Sequence, residues 1–266
     1  MSVDVVLTEI TDGVGTITMN RPHRRNALNG ALVAGLDAAV KQMAADDDVR
    51  VVVLTGAAGE GALGGFCSGG DTKRDEAAEN EAELMSLGVP PAALEGDQAR
   101  HDQHAAMLLH LMPKISIAMV GGPAVGAGCS LAAACDLRLA SDDAVFKAGF
   151  AGNGLAGDYG GSFFWTRIGG TGLARRLYLL NEKIGAAEAL ALGMVHEVLP
   201  AADLAARTAA LAAELAKMPA DLVGLVKDDL NQAEDEVERR RFLLANEAEN
   251  QIESGRRMRA RFRAAR

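Results

Sequence analysis

PKISIAMVGGPAVGAGCSLAAACDLRLAS, residues 113–141, decides the fold because its character changes in a fixed order. Ile115 to Val120 is apolar and β-branched, which predicts a strand. Gly121 to Gly128 follows as a glycine-rich turn, Cys129 to Cys135 as a helix of small residues, and Leu137 to Leu139 and Ala144 to Phe146 as further strands. The same order stands roughly 65 residues earlier, where the apolar run Val49 to Thr55 leads through Gly56–Gly65 into the turn Phe66-Cys67-Ser68-Gly69-Gly70-Asp71. Strand, turn and helix repeated in this way predict parallel strands with crossover connections, an α/β fold.

Working outward, Val3 to Glu9 and Val14 to Met19 are two strands joined by Thr11-Asp12-Gly13, whose Asp-Gly predicts a hairpin. Arg21-Pro22 ends the second strand. Asn29 caps a helix carried by Leu32, Leu36, Val40 and Met43 and stopped at Asp46-Asp47-Asp48. Residues 72–104 are acid-rich with weak apolar periodicity, and read as a lid. From Gly185 onward helices dominate: Ala186 to Leu192, Ala202 to Met218, and Ala220 to about Gly255. The expected division is a core over 1–200 and a helical segment over 201–266, the latter packed on another element or another subunit.

At 266 residues and 49% hydrophobic, the chain is long enough to bury a sizeable core. Its formal net charge of −9 opposes phosphate binding over the whole surface and so argues against a nucleic-acid partner. The arginines at 256, 257, 259, 261, 263 and 266 are a local exception, read as a solvated helix end. No apolar run approaches the roughly 18 to 20 residues of a membrane span. No secretory pattern opens the sequence, so a cytoplasmic location is expected. Cys67, Cys129 and Cys135 lack zinc or disulfide spacing and read as small buried hydrophobes. His101, His104 and His110 have no carboxylate pattern to complete a metal site, and no metal is expected.

Either glycine turn is able to aim N–H groups into a cavity, the second at a helix N-terminus. Gly126-Ala127-Gly128 begins like a dinucleotide fingerprint, but Leu131 stands where its third glycine belongs, and there is no P-loop sequence.

FCSGGD (66–71) after VVVLTG (51–56), the 113–141 stretch, GDYGGSFFWTRIGG (157–170), IGAAEALALGMVHEVLP (184–200) and NRPHRRNALNGAL (20–32) together resemble the crotonase (enoyl-CoA hydratase/isomerase) superfamily in order and spacing. The resemblance runs from about residue 3 to residue 218. It implies a crotonase-type spiral of ββα units with a C-terminal helical segment that makes a homotrimer or a dimer of trimers. It also implies an acyl-CoA thioester substrate, with coenzyme A arriving as part of that substrate and no separate cofactor. By position, the N–H groups of Gly70 and Ala127 hold the thioester oxygen and stabilise its enolate. Arg24, Arg25, Ala27, Ser68 and Thr72 fall where relatives hold coenzyme A, and the two arginines suit its phosphates.

The two glutamates that handle water in hydratases of the superfamily are replaced here by Ser130 and Phe150. Asp158 stands where some family isomerases carry a proton-shuttling Asp. One carboxylate suffices to shift a double bond, which makes isomerisation the first choice, and Asp158 otherwise serves as a turn or cap residue. Hydration with an acid borrowed from the lid, such as Glu95 or Asp97, stays open. So do the ring-forming chemistry of a naphthoate-synthase-type relative and a non-catalytic acyl-CoA binder. Tyr159 is expected half-buried, Asp71 as an Asx-turn residue, and Ser130 without triad partners. Phe150, Phe163, Phe164 and Trp165 fit either an apolar pocket or a packed helix.

Overall fold

The structure, a computed structural model, describes residues 4–59, 65–71 and 104–234. Most of the expected lid, with Thr72, Glu95, Asp97 and His101, lies outside those residues, as do the arginine tail and any helix beyond 234.

Strands β1 (Val6–Thr11) and β2 (Val14–Met19) pair antiparallel around Asp12 and Gly13, both with positive φ. That turn geometry matches the right-handed twist of the flanking strands. Helix α1 (Gly30–Ala45) starts at Asn29, whose side chain accepts a hydrogen bond from the Leu32 N–H at 2.9 Å. Such a cap stabilises a helix by about 1 kcal/mol. Strand β3 (Val51–Gly56) lies parallel to β2, and helix α2 (His104–Leu111) leads into β4 (Ile115–Val120), parallel to β3. The chain continues through β5 (Ala124–Val125), α3 (Ala127–Ala134), β6 (Leu137–Ser141) and β7 (Val145–Lys147). It then passes through α4 (Gly161–Arg175), β8 (Ile184–Gly185), α5 (Ala186–Ala191), β9 (Glu197–Leu199), α6 (Ala201–Leu215) and α7 (Ala220–Glu234).

The strands form two layers. One sheet runs β1-β2-β3-β4-β6-β9, parallel from β2 onward, and the smaller one runs β5-β7-β8. The spiral shows in the second layer, where successive turns of chain each add a short rung. Leu28 bridges Gly70, Cys67 bridges Ala124, Ala124 pairs with Phe146, and Phe146 pairs with Ile184. This is the crotonase-type α/β spiral. The strand period of two splits the core: Val51, Val53, Ile117 and Leu139 face α6 through Leu204 and Ala212, while Val52 and Leu54 face the main core with Leu32, Leu36 and Met43 of α1.

Helix α7 docks through a cation. Lys227, 6% exposed, donates to the carbonyls of Leu109 and Lys114 at 2.9 Å each and to the Asp136 carboxylate at 2.8 Å. Asp136 also accepts from the Ser116 N–H at 2.7 Å and from its hydroxyl at 2.8 Å, so one buried network ties α7, β4 and the end of α3 together.

Candidate active site

The two glycine turns meet at two adjacent rungs of the small layer. Cys67 N–H donates to the Pro123 carbonyl at 3.2 Å, and Val125 N–H donates to the Cys67 carbonyl at 2.9 Å. The approach is close enough to dictate composition. A Cβ on Gly128 would stand 2.3 Å from the Cys67 oxygen, and Gly69, at φ +86°, would put one 2.9 Å from the Val125 oxygen.

Peptide geometry fixes where the expected donors point. In a planar trans peptide the C=O and the next N–H are antiparallel. The Gly69 carbonyl accepts from Leu28 N–H at 2.8 Å, so the Gly70 N–H points away from residues 25–28. The Gly126 carbonyl accepts from Ser130 N–H at 3.1 Å inside α3, so the Ala127 N–H points out of that helix's N-terminus. Among the described residues neither N–H donates a hydrogen bond within the protein. Gly70 is exposed, Ala127 is 1% exposed, and nothing among the described residues lies within 4 Å of where a Gly70 Cβ would be.

Asp158 sits in the turn 157-GDYGG-161 that opens α4. Gly157, Tyr159 and Gly160 all have φ between +20° and +160°. For Tyr159, at φ 53°, that conformation costs of order 1 kcal/mol or more, and it persists because the Tyr159 side chain is 7% exposed and packed in the core. The turn is therefore held rigidly. Asp158 is half-buried with Oδ1 shielded from solvent, and its charge reaches the first turn. The Cys67 thiol is pushed up to about 12, chiefly by burial, with the Asp158 carboxylate adding to the rise and the Gly69 N–H opposing it.

Ser130 is 1% exposed and lies on α3, its hydroxyl directed at the Gly126 carbonyl at 3.4 Å. Phe150 is 6% exposed and stacks on Tyr178, with centroids 5.9 Å apart at 23°. A Cβ on Gly126 would lie 3.9 Å from the Phe150 ring, so the ring edges the second turn. Tyr178 escaped the sequence reading. Its hydroxyl and the Ser130 hydroxyl lie 2.4 and 2.1 Å from one point, the place of a Cβ on Gly161. No local pattern marks Tyr178, since it reaches the site from the π-helical turn Arg176–Leu180 that follows α4.

The segment that resembles a coenzyme A contact gathers at the first turn. Ser68 N–H donates to the Arg25 carbonyl at 3.1 Å, and Arg25 is exposed beside it. Ala27 is buried and uses its carbonyl to accept from Arg21 at 2.5 Å. The Arg24 side chain, expected at phosphate, turns inward to Asp71, with Nη2 to Oδ1 at 2.8 Å. The Asp71 carboxylate, 4% exposed, bridges Arg24 and Arg21, while the residue that would close its expected Asx turn lies outside the described residues. Phe163, Phe164 and Trp165 are core, with His110 edge-on to both phenylalanines and Trp165 against Phe146.

A spiral of ββα units whose two glycine turns pack against each other defines a protein of the crotonase class. The chain belongs to the enoyl-CoA hydratase/isomerase family, whose profile matches residues 9–258. It is 33% identical over 235 residues to 4-chlorobenzoyl coenzyme A dehalogenase-1 of Arthrobacter sp, covering 87% of this chain and 79% of that one. It is also 33% identical over 232 residues to 1,2-epoxyphenylacetyl-CoA isomerase of Escherichia coli K12, covering 87% and 84%. A crystal structure of an enoyl-CoA hydratase from Mycobacterium avium subsp. paratuberculosis K-10 superposes with a TM-score of 0.78 at 30% identity, covering 96% and 95% of the two chains. The family acts on acyl-CoA thioesters, and these relatives carry three different reactions in their names. No helix among the described residues is long and apolar enough to cross a membrane.

Proposed function

We propose that this protein shifts the double bond of an enoyl-CoA thioester, with Asp158 as the single acid–base group. The observation that carries the proposal is the placement of one carboxylate, on a rigid turn and within electrostatic reach of Cys67; the resemblance puts Ser130 and Phe150, both buried, where hydratases carry their glutamates. The Asp158 carboxylate takes a proton from C2 of a 3-enoyl thioester. The electron pair moves onto the carbonyl oxygen, where the Gly70 and Ala127 N–H groups receive it as a dienolate. Asp158 then returns the proton to C4, leaving the 2-enoyl thioester. One such donor is typically worth about 2.7 to 4 kcal/mol in the transition state.

Arg25, Ala27, Ser68 and Thr72 are proposed to receive coenzyme A, with Arg25 toward phosphate. A homotrimer, or a dimer of trimers, in the cytoplasm accompanies this proposal. The assembly is supported by the exposed apolar stripe Leu222, Leu225, Val226 and Leu230 on α7. The test is Asp158→Asn, assayed for conversion of 3-enoyl to 2-enoyl thioesters and for deuterium entry from solvent. Loss of turnover by about 100-fold or more with thioester binding retained is expected. Full turnover in Asp158→Asn refutes the base, and hydration of a 2-enoyl thioester at comparable rate refutes the reaction.

A further inference from the structure

We infer that Asp71, clamped by Arg21 and Arg24, is a positioning residue that aims the Gly70 N–H. The inference rests on the proposal that this N–H meets the thioester oxygen. Asp71 directly follows Gly70, and its carboxylate is held from two sides. Arg21 Nη1 donates to Oδ2 at 3.0 Å, while Arg24 donates from Nη2 to Oδ1 at 2.8 Å and from Nε to Oδ2 at 3.4 Å. All three side chains are largely buried, at 6%, 13% and 4% exposure for Arg21, Arg24 and Asp71. Both arginines belong to the segment that orients the 69–70 peptide from its other end. Leu28 N–H donates to the Gly69 carbonyl at 2.8 Å, and Asp71 N–H donates to the Leu28 carbonyl at 2.9 Å.

The donor peptide is thus fixed at both flanks by one short stretch of chain. Residues 25–28 grip it through Leu28, and the ion-pair cluster locks that stretch against Asp71. The stretch needs the lock, because Arg25 and Asn26 both sit at positive φ, 52° and 53°, a conformation that a free chain would leave. Asn26 adds a further restraint, accepting from Arg21 N–H at 2.9 Å and donating to the Gly65 carbonyl at 2.8 Å. The Gly69 carbonyl faces this clamp, and the Gly70 N–H is directed the opposite way. An arginine fork on a carboxylate fixes orientation as well as distance, which a lysine in its place does not do.

The experiment uses the whole protein and two variants, Arg24→Lys and Asp71→Asn, with Asp158→Asn alongside. Each is titrated with an aryl-acryloyl-CoA, a thioester whose absorbance shifts to the red when its carbonyl accepts hydrogen bonds, and each is assayed for kcat and KM. Arg24→Lys keeps the charge and breaks the fork, so it remains informative if Asp71→Asn fails to fold. The expected result for Arg24→Lys is a kcat lower by about 10- to 100-fold, a KM within about threefold, and a visibly smaller red shift. A raised KM with unchanged kcat and full red shift overturns the inference and makes Arg24 a coenzyme A contact. A lowered melting temperature with unchanged kcat and red shift overturns it too, leaving a purely structural ion pair. Asp158→Asn separates the two proposals, since it should abolish turnover and leave the red shift intact. If isomerase turnover is absent in the parent protein as well, the red shift still tests the clamp.

Discussion

Replacing Gly128 by alanine should pry the two donors apart. The added Cβ would lie 2.3 Å from the Cys67 carbonyl oxygen and 2.6 Å from the Cys67 Cβ, against an ordinary contact of roughly 3.5 Å. Relief therefore takes about 1 Å of relative movement between α3 and the first turn. The obstructing oxygen is backbone, so a rotamer change cannot provide it. That oxygen also accepts the Val125 N–H at 2.9 Å, the rung that sets the second turn against the first. Movement of that size in an aligned site costs about 100-fold in rate, and overpacking of this kind costs about 1 to 3 kcal/mol of stability. The expected outcome is a kcat lower by about two orders of magnitude together with a melting temperature lower by several degrees. Gly70→Ala is the stability control, since its Cβ meets nothing within 4 Å among the described residues and its melting temperature should stay at the parent value. A Gly128→Ala protein with kcat within threefold of the parent would show that the turns tolerate separation, and would refute the facing-donor geometry as the source of catalysis.

Stability should fall steeply at alkaline pH. Cys67, Cys129 and Cys135 are fully buried and each is pushed from 9.0 to about 12, chiefly by burial, so the folded state keeps three protons that the unfolded chain releases. Raised folded values mean that this stability is complete below about pH 9 and is lost as pH rises toward 12, at up to about 4 kcal/mol per pH unit for three thiols. Denaturant titrations of the parent and a Cys67→Ala/Cys129→Ala/Cys135→Ala protein would check it, the variant showing the shallower alkaline slope even if it is less stable throughout. Lys227→Met should cost at least about 2 kcal/mol, because it removes the Lys227 bond to the Lys114 carbonyl, leaves the Leu109 carbonyl with only the Ser116 hydroxyl at 3.0 Å, and deprives Asp136 of its cation. A midpoint unchanged in urea would show that α7 docks by its apolar contacts alone.

Much of the scaffold was legible because it is written locally. Asp12-Gly13 predicts a turn with two positive φ values and the structure has it, and β2 and β4 run as read, Val14–Met19 and Ile115–Val120. What escaped is long-range. Helix α3 begins at Ala127, two residues before the expected start, because Gly128 is present for the closeness of Cys67 and not to end a turn. Helix α4 runs to Arg175, with the break at Gly170 enclosed inside it. The two-residue strands β5 and β8 carry too little pattern to be seen. Asp71 looked like a turn residue since its partners lie 47 and 50 positions away, and only folding brings them together.

The same division separates what the fold settles from what side chains decide. The proposed oxyanion site is made of backbone, so it requires small residues and a tight approach, and both leave marks in the sequence. The reaction depends on which groups border that site, and a change of one or two of them alters the chemistry without touching the scaffold. Hydration needs a water activated at one carbon and a proton delivered to the next. Here the second of the two expected carboxylates is replaced by a phenylalanine ring stacked on Tyr178 and edging Gly126, a surface that sheds water. Double-bond migration needs only one base that can reach two carbons on the same face of a planar dienolate. In the proposed reaction that base is Asp158, shielded at Oδ1 and fixed by a strained turn. The absence of the glutamates is therefore coherent with the proposed donor pair: isomerisation would pass through the same kind of intermediate, and only the steps that need water would lose their support.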